Sequence, residues 1–455
     1  MLKKRKLSKK DFAQHPQALN IGLPQELIDA ILGFLREDQA TLKACSLVCR
    51  RFTLCSQKYL FTTVELHPPL KSSTRTSGQK FQRLLELAPH VGRYVRVLKI
   101  VDGGPGADHH GGGWLTKDRS LSLFLDSFQD LISFTLSTAD FARIYFVELP
   151  NKLRKAIQSL LWRCRSTIFY IEYNDIAQIP RALVQFQTAL KHLVLNNVEF
   201  TDESSAGLLT ADSSESGFED PPHRPLLDTI QISMDFGFRS PVLCFFGILN
   251  SFDVSKLRRL SAFGLGDDDE QENIWKLMQT CSNSLEEIII STPLEPDESW
   301  NPINLDLDPI QFNLLPNLKA ITIITEVVNE DEFPPLNSLE WVAYRFGLFS
   351  SSNALEEVNL RVDFHVLDMD SDELDLSSLN KLDAILSDRK HFPFLRHVSL
   401  SFRASIMPID EISGFIHALE NRFSALLSQG IMPQIQELEG KAIDCLYDDF
   451  SFQID

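Results

Sequence analysis

The chain has 455 residues, 44% of them hydrophobic and 23% charged, which is the composition of a globular protein able to build a sizeable core. Forty-four Lys and Arg stand against 62 Asp and Glu, a net charge of −18, and without the six basic residues of Met1–Lys10 the remainder sums to −24. A body this acidic repels phosphate backbones and anionic lipid, so general nucleic-acid and membrane-surface binding are disfavoured.

Residues 1–20 read as a disordered basic arm with KKRK at Lys3–Lys6, a cluster that can serve nuclear import. No apolar stretch follows it, so no secretory signal is expected. Residues 21–65 carry the densest helical signal. Leu27, Ile28, Ile31, Leu32 and Leu35 form one apolar stripe behind Pro24, which is tolerated in a first helical turn. A second helix is expected through Leu42, Cys45, Leu47, Val48 and Cys49, and a third from Phe52 towards Leu60-Phe61. Three such short helices cannot bury this much apolar surface among themselves. Either the rest of the chain or a partner must cover Leu23, Pro24, Leu27, Ile28, Ile31, Leu42, Leu47, Val48 and Phe52.

From residue 80 to 455 a template Φ-x-x-Φ-x-Φ recurs. It begins at Val95, Leu131, Leu190, Leu227, Leu285, Leu318, Leu355 and Leu395, with weaker copies at Ser166-Phe169-Ile171 and Leu257-Leu260-Ala262. Helical stretches such as Leu153–Cys164, Ile274–Cys281 and Leu379–Leu386 lie between copies, and Ser413–Leu427 would make a closing helix. One short parallel strand plus a helix per unit predicts an α/β solenoid, each unit covering its neighbour's apolar face. Two insertions at its rim, 102–116 and 201–225, are too rich in Gly, Ser, Pro and acid to pack. The longest apolar stretch, Val242–Asn250 (VLCFFGILN), is far short of the roughly 20 residues that span a bilayer. On the template, positions three, five and seven line the outward face of the sheet. They include His192, Asn196, Arg259, Glu287, Glu357, Arg361 and His397, a mixed polar set suited to holding a polar protein segment.

Residues 23–61 resemble an F-box. The resemblance rests on Leu23-Pro24, Glu26-Leu27, Ile31, Leu35 and Leu42, then Ser46-Leu47-Val48-Cys49-Arg50 with Phe52, and Leu60-Phe61. With the repeats, the whole is similar to F-box proteins carrying irregular leucine-rich repeats. The resemblance implies an all-α F-box that docks on a Skp1-type adaptor and through it a cullin–RING scaffold, while the repeats bind a protein substrate for ubiquitin transfer. The apolar residues from Leu23 to Phe52 would then be the adaptor contacts. Regular repeats of this family place an Asn at the ninth template position. Here that position holds Gly103, Val198, Pro293, Glu326, Asp363 and Arg403, so irregular turns are expected.

Catalytic and cofactor motifs are incomplete. The Gly103–Gly113 loop has no GK[ST], so it is no phosphate cradle. His109-His110 has no further ligand nearby, and Cys45-x3-Cys49-x5-Cys55 has no second pair, so zinc is not expected. Asp368-x-Asp370-x-Asp372 and Asp267–Glu270 lack the Glu that closes a calcium loop. GxSxG and HExxH do not occur. The expectation is a non-catalytic protein without cofactor. Seven scattered cysteines and the lack of Asn-x-Ser/Thr place it in a reducing compartment, cytoplasmic, nuclear or both. Two alternatives remain open at this point: a Skp1-binding repeat scaffold outside a ligase, and a hydrolase with a dispersed active site.

Overall fold

The computed structural model describes residues 23–69, 75–103, 113–139, 143–201, 224–233, 248–264, 268–291, 310–328, 338–350, 353–365, 377–404, 416–417 and 419–437. Among them the helices of eight or more residues are α1 Gln25–Phe34, α2 Gln39–Ser46, α3 Arg50–Leu60, α4 Ser77–Leu87, α5 Asn151–Arg163, α6 Asp268–Thr280, α7 Ser338–Gly347 and α8 Ser377–Leu386. The strands are β1 Thr63–Leu66, β2 Val97–Asp102, β3 Ser133–Thr138, β4 Ile144–Tyr145, β5 Tyr170–Pro180, β6 His192–Thr201, β7 Thr229–Ser233, β8 Arg259–Phe263, β9 Glu287–Ser291, β10 Ala320–Val328, β11 Glu357–His365, β12 His397–Ala404 and β13 Gln434–Glu437.

All thirteen strands belong to one parallel sheet. Twelve of them lie side by side in chain order, and β4 pairs with β5 off that path. The chain is therefore a mixed α/β protein whose sheet is compatible with a stacked solenoid. Strands β2, β3 and β5–β12 each carry one of the ten templates, because alternate residues of a strand face one side. Leu98, Phe134, Ile171, Leu193, Ile230, Leu260, Ile288, Ile321, Val358 and Val398 stand in one inward row, none more than 1% exposed. Helices close the other side of this core with Leu153, Ile157 and Leu160 from α5, Ile274 and Met278 from α6, Val342 and Phe346 from α7, and Leu382 and Leu386 from α8. Each such burial contributes about 1.5–3 kcal/mol.

Four expectations shift. The insertion expected over 102–116 is shorter, since Asp102 ends β2 and Trp114 and Leu115 are buried in the main core. The weak copy at residues 166–171 is framed two residues too early. Ile168, Ile171 and Tyr173 are the buried triplet, and Phe169 lies just before the strand. The sheet also begins earlier than residue 80. Phe61, Val64 and Leu66 repeat the template, β1 pairs with β2, and all three side chains join the main core. The helical block thus ends near Leu60 rather than at 65. The closing helix is interrupted at Phe423, whose ψ of 37° leaves the helical region, and resumes as Ser424–Ser428. Leu419, Phe423 and Leu426 are buried as the apolar face required, while Phe415 lies outside the described residues.

The turns are held by several different side chains. Asp175 and Asn197 occupy the eighth template position in β5 and β6, both in left-handed backbone with φ of 56° and 52°. Asn197 Nδ2 donates to Asp175 Oδ1 over 2.8 Å. Elsewhere Asn353 Nδ2 donates to the carbonyls of Ser350 and His391, at 2.6 and 2.5 Å, and its Oδ1 accepts from Leu355 N–H. Gly113 lies so close to the end of β2 that a Cβ there would overlap the Asp102 carboxylate.

One feature at the N-terminal edge of the sheet was not anticipated. Backbone bonds align Lys191, Asp228, Arg258, Glu286, Lys319, Glu356 and Arg396 in a single row, the residue at template position two of seven successive units. Their charges alternate without exception. Glu286 lies 2.9 Å from Arg258 and 3.4 Å from Lys319, and Glu356 lies 3.7 Å from Arg396.

Candidate interaction surfaces

The first candidate surface is the N-terminal helical block. Its core is small and separate from that of the sheet: Ile28, Leu32, Leu42 and Cys55, with Leu35, Cys45, Phe52, Tyr59 and Leu60 packed around them. A helix of ten residues presents two neighbouring apolar ridges here. Ile28, Leu32 and Leu35 turn inward, whereas Leu27, Ile31 and Phe34 stay in solvent, Phe34 at 91% exposure. Helix α2 stops at Ser46, N-capped by Asp38, which accepts from Thr41 N–H and Oγ1 at 2.9 and 2.6 Å. These bonds to Thr41 hold the Asp38 carboxyl below its usual range. Leu47 and Val48 therefore sit in the turn before α3 and not on a helix. They are 87% and 67% exposed.

Six of the nine residues expected at the adaptor surface are exposed: Leu23, Pro24, Leu27, Ile31, Leu47 and Val48. Ile28 and Leu42 are not available, since they fill the block's own core, and Phe52 is half-buried against it. Phe34 and Leu54, which the sequence reading omitted, join the exposed set. The block meets the short 3-10 helix Pro89–Tyr94 ahead of β2 through α3, where Gln57 Oε1 lies 3.0 Å from His90 Nε2.

The second candidate surface is the outward face of the sheet. Register places His192, Thr229, Arg259, Glu287, Ala320, Glu357 and His397 in one row across β6–β12. Five of the seven residues expected to contact substrate thus fall side by side. Asn196 and Arg361 belong to a parallel row four residues further along their strands. Arg259 and Glu287 neutralise one another through a 3.0 Å ion pair. His192 is half-buried between its neighbours, and burial lowers its pKa from the usual 6.5, partly offset by Asp228.

Sequence reading missed the polar network at the start of this face. Framed from Ile168, β5 puts Tyr170, Glu172 and Asn174 at template positions three, five and seven; framed from Ser166, Tyr170 and Glu172 also face outward and only Asn174 falls beyond the template. Glu172 accepts from Tyr170 Oη and Thr135 Oγ1 at 3.0 and 3.1 Å on Oε2, and from Asn174 Nδ2 at 2.9 Å on Oε1. Asn196 Nδ2 in turn donates to Asn174 Oδ1, and Gln231 Nε2 to Asn196 Oδ1. Burial, with Glu172 beside it, pushes the Tyr170 phenol well above its usual range.

Among the described residues no group of three His, Cys, Asp or Glu side chains is placed to hold a metal ion. Cys45 and Cys55 line the helical core, and burial raises the Cys55 thiol to about 11. Cys49 is exposed ahead of α3. Glu270 lies in α6, while Asp267, His109, His110 and Asp368–Asp372 fall outside the described residues. No described helix is long and apolar enough to cross a membrane. No protein-family model matches the chain, and a search of curated proteins finds no relative.

Proposed function

We propose that this chain is a non-catalytic substrate receptor of a cullin–RING ubiquitin ligase. In this reading residues 23–60 are an F-box that docks on a Skp1-type adaptor, and the sheet belongs to irregular leucine-rich repeats that hold a protein substrate. The observation that carries the reading is the exposed apolar ridge of a block whose own core is already full. Leu23, Leu27, Ile31, Phe34, Leu47 and Val48 are all exposed on this one small block, more large apolar side chains than a monomeric surface commonly leaves uncovered. The alternation of helical, adaptor-facing and sheet-borne, substrate-facing surfaces lets one chain hold a substrate near a transfer centre, supplying proximity while its partners supply chemistry. The protein would act in the cytoplasm, the nucleus or both.

The double variant Leu23→Ala, Pro24→Ala tests the reading, because both residues precede α1 and neither belongs to the block's core. It is expected to remain folded and to keep substrate capture, while adaptor affinity falls about thirtyfold or more, as for the loss of a central anchor worth about 2 kcal/mol. Unchanged adaptor binding in a pull-down titration would refute the docking surface. Copurification of both adaptor and cullin separates a ligase from a scaffold that binds the adaptor alone.

A further inference from the structure

Glu172 is a half-buried anion held in one orientation by neutral donors only. No Lys, Arg or His nitrogen among the described residues lies within ion-pair distance of its carboxylate. A carboxylate offers about four acceptor positions; three are taken, and the open one is on Oε1, beside Asn174. Neutral donors fix the group but do not neutralise it, and a partly desolvated charge gains most from a cation. The surroundings suit one. Tyr170 and His192 present rings 6.5 Å apart at the same place on the sheet. The chain's overall charge of −18 draws basic ligands towards it.

We infer that Glu172 is a specificity subsite that receives one basic side chain of a protein segment lying across β5 and β6. The inference rests on the proposed role of the outward face in holding a protein segment. It goes further by naming the chemistry that the segment must carry: a lysine or arginine opposite β5.

Hexa-arginine peptide, hexa-citrulline peptide and spermine serve as probes in fluorescence anisotropy with the full chain. Glu172→Gln is expected to weaken hexa-arginine about tenfold. Val194→Lys, which sets an ammonium directly opposite Glu172 in the register and leaves Glu172 in place, should weaken it as much. Glu65→Gln, on the same face at the far strand β1, should change it less than twofold, and hexa-citrulline should not bind. Equal binding by wild type and either β5–β6 variant overturns the subsite. So does an equal loss in Glu65→Gln, which would mean general acidity, or spermine binding as tightly as the peptide, which would mean a small polyamine site. If hexa-arginine binding depends on Glu172 but Glu172→Gln still captures substrate, the subsite stands and the substrate role of the face falls.

Discussion

Asp383 in α8 is 4% exposed, yet it is a carboxylate inside a leucine-rich core. Its two oxygens accept from the backbone N–H groups of Ala425 and Leu426, at 2.8 and 2.9 Å, where the last helix restarts after its break at Phe423. First-turn N–H groups have no helical acceptor of their own, and here a neighbouring helix supplies one for each of two. Asp383→Ala should cost about 2 kcal/mol or more, since two buried donors lose their partner; Asp383→Asn keeps one acceptor and should cost less. Denaturant midpoints for the three proteins check this, and equal midpoints would mean that the break is held by something else. The same contrast between inward and outward duty separates Leu32 from Phe34, two residues apart on α1, one at 0% and the other at 91% exposure.

At the scale of elements, the row from Lys191 to Arg396 shows how one template position can tie strands together. Each of the five inner charges has an opposite neighbour on either side, so the row differs from a set of separate ion pairs. Glu286→Lys should set three positive charges in succession and lower stability by about 1 kcal/mol at low salt, a modest value because these groups are partly exposed and screened. The exchange Arg258→Glu with Glu286→Arg discriminates further. It preserves that pair, so isolated pairs would tolerate it. In a row it puts Glu beside Asp228 and Arg beside Lys319, so it should destabilise nearly as much as the single reversal. Thermal melts at low salt and at about 0.5 M salt, where the Debye length shrinks to a few ångströms, would show the cost and its loss; wild-type stability in the exchanged protein at low salt would dissolve the row into separate pairs.

For the molecule as a whole the balance of titrating groups points one way. Asp38, Asp253, Glu286 and Asp388 are held below their ordinary values, chiefly by hydrogen bonds from Thr41, from Ser255, from Arg258 and from the Lys390 backbone. A depressed carboxyl contributes stability that is complete above its unfolded pKa and is lost as pH falls through the folded one. With unfolded values of 3.8 and 4.5, the loss begins below about pH 5. His192 has the same sign and begins earlier, below its ordinary 6.5, because burial opposes its protonation. Asp102 has the opposite sign, its carboxyl raised by burial. Melting temperature is therefore expected to be level from pH 7 to 8, to slip slightly below 6.5 and to fall further below 5. A level profile down to pH 3 would contradict it.

Period and composition made much of this architecture legible in advance. Apolar residues at positions four and six are two apart and share a face of an extended chain, so ten strands could be read from ten triplets, and positions three and five had to face away; position one reaches the core from the turn before the strand. The helical ridge of α1 was equally plain from spacing. What spacing could not decide was how a stripe divides between a core and a surface: Ile28 and Leu42 turned inward and Leu27 and Ile31 outward only because α3 packs on one ridge. The frame of β5 was also ambiguous, since Ser166-Phe169-Ile171 and Ile168-Ile171-Tyr173 differ by two residues, which is the period of a strand and leaves alternation unchanged. Only pairing with β3 and β6 settled it, and with it the position of Glu172. The charged row has the same origin. Seven residues separated by about 30 positions in the chain become neighbours, and their alternating signs acquire meaning, only when parallel register sets them side by side.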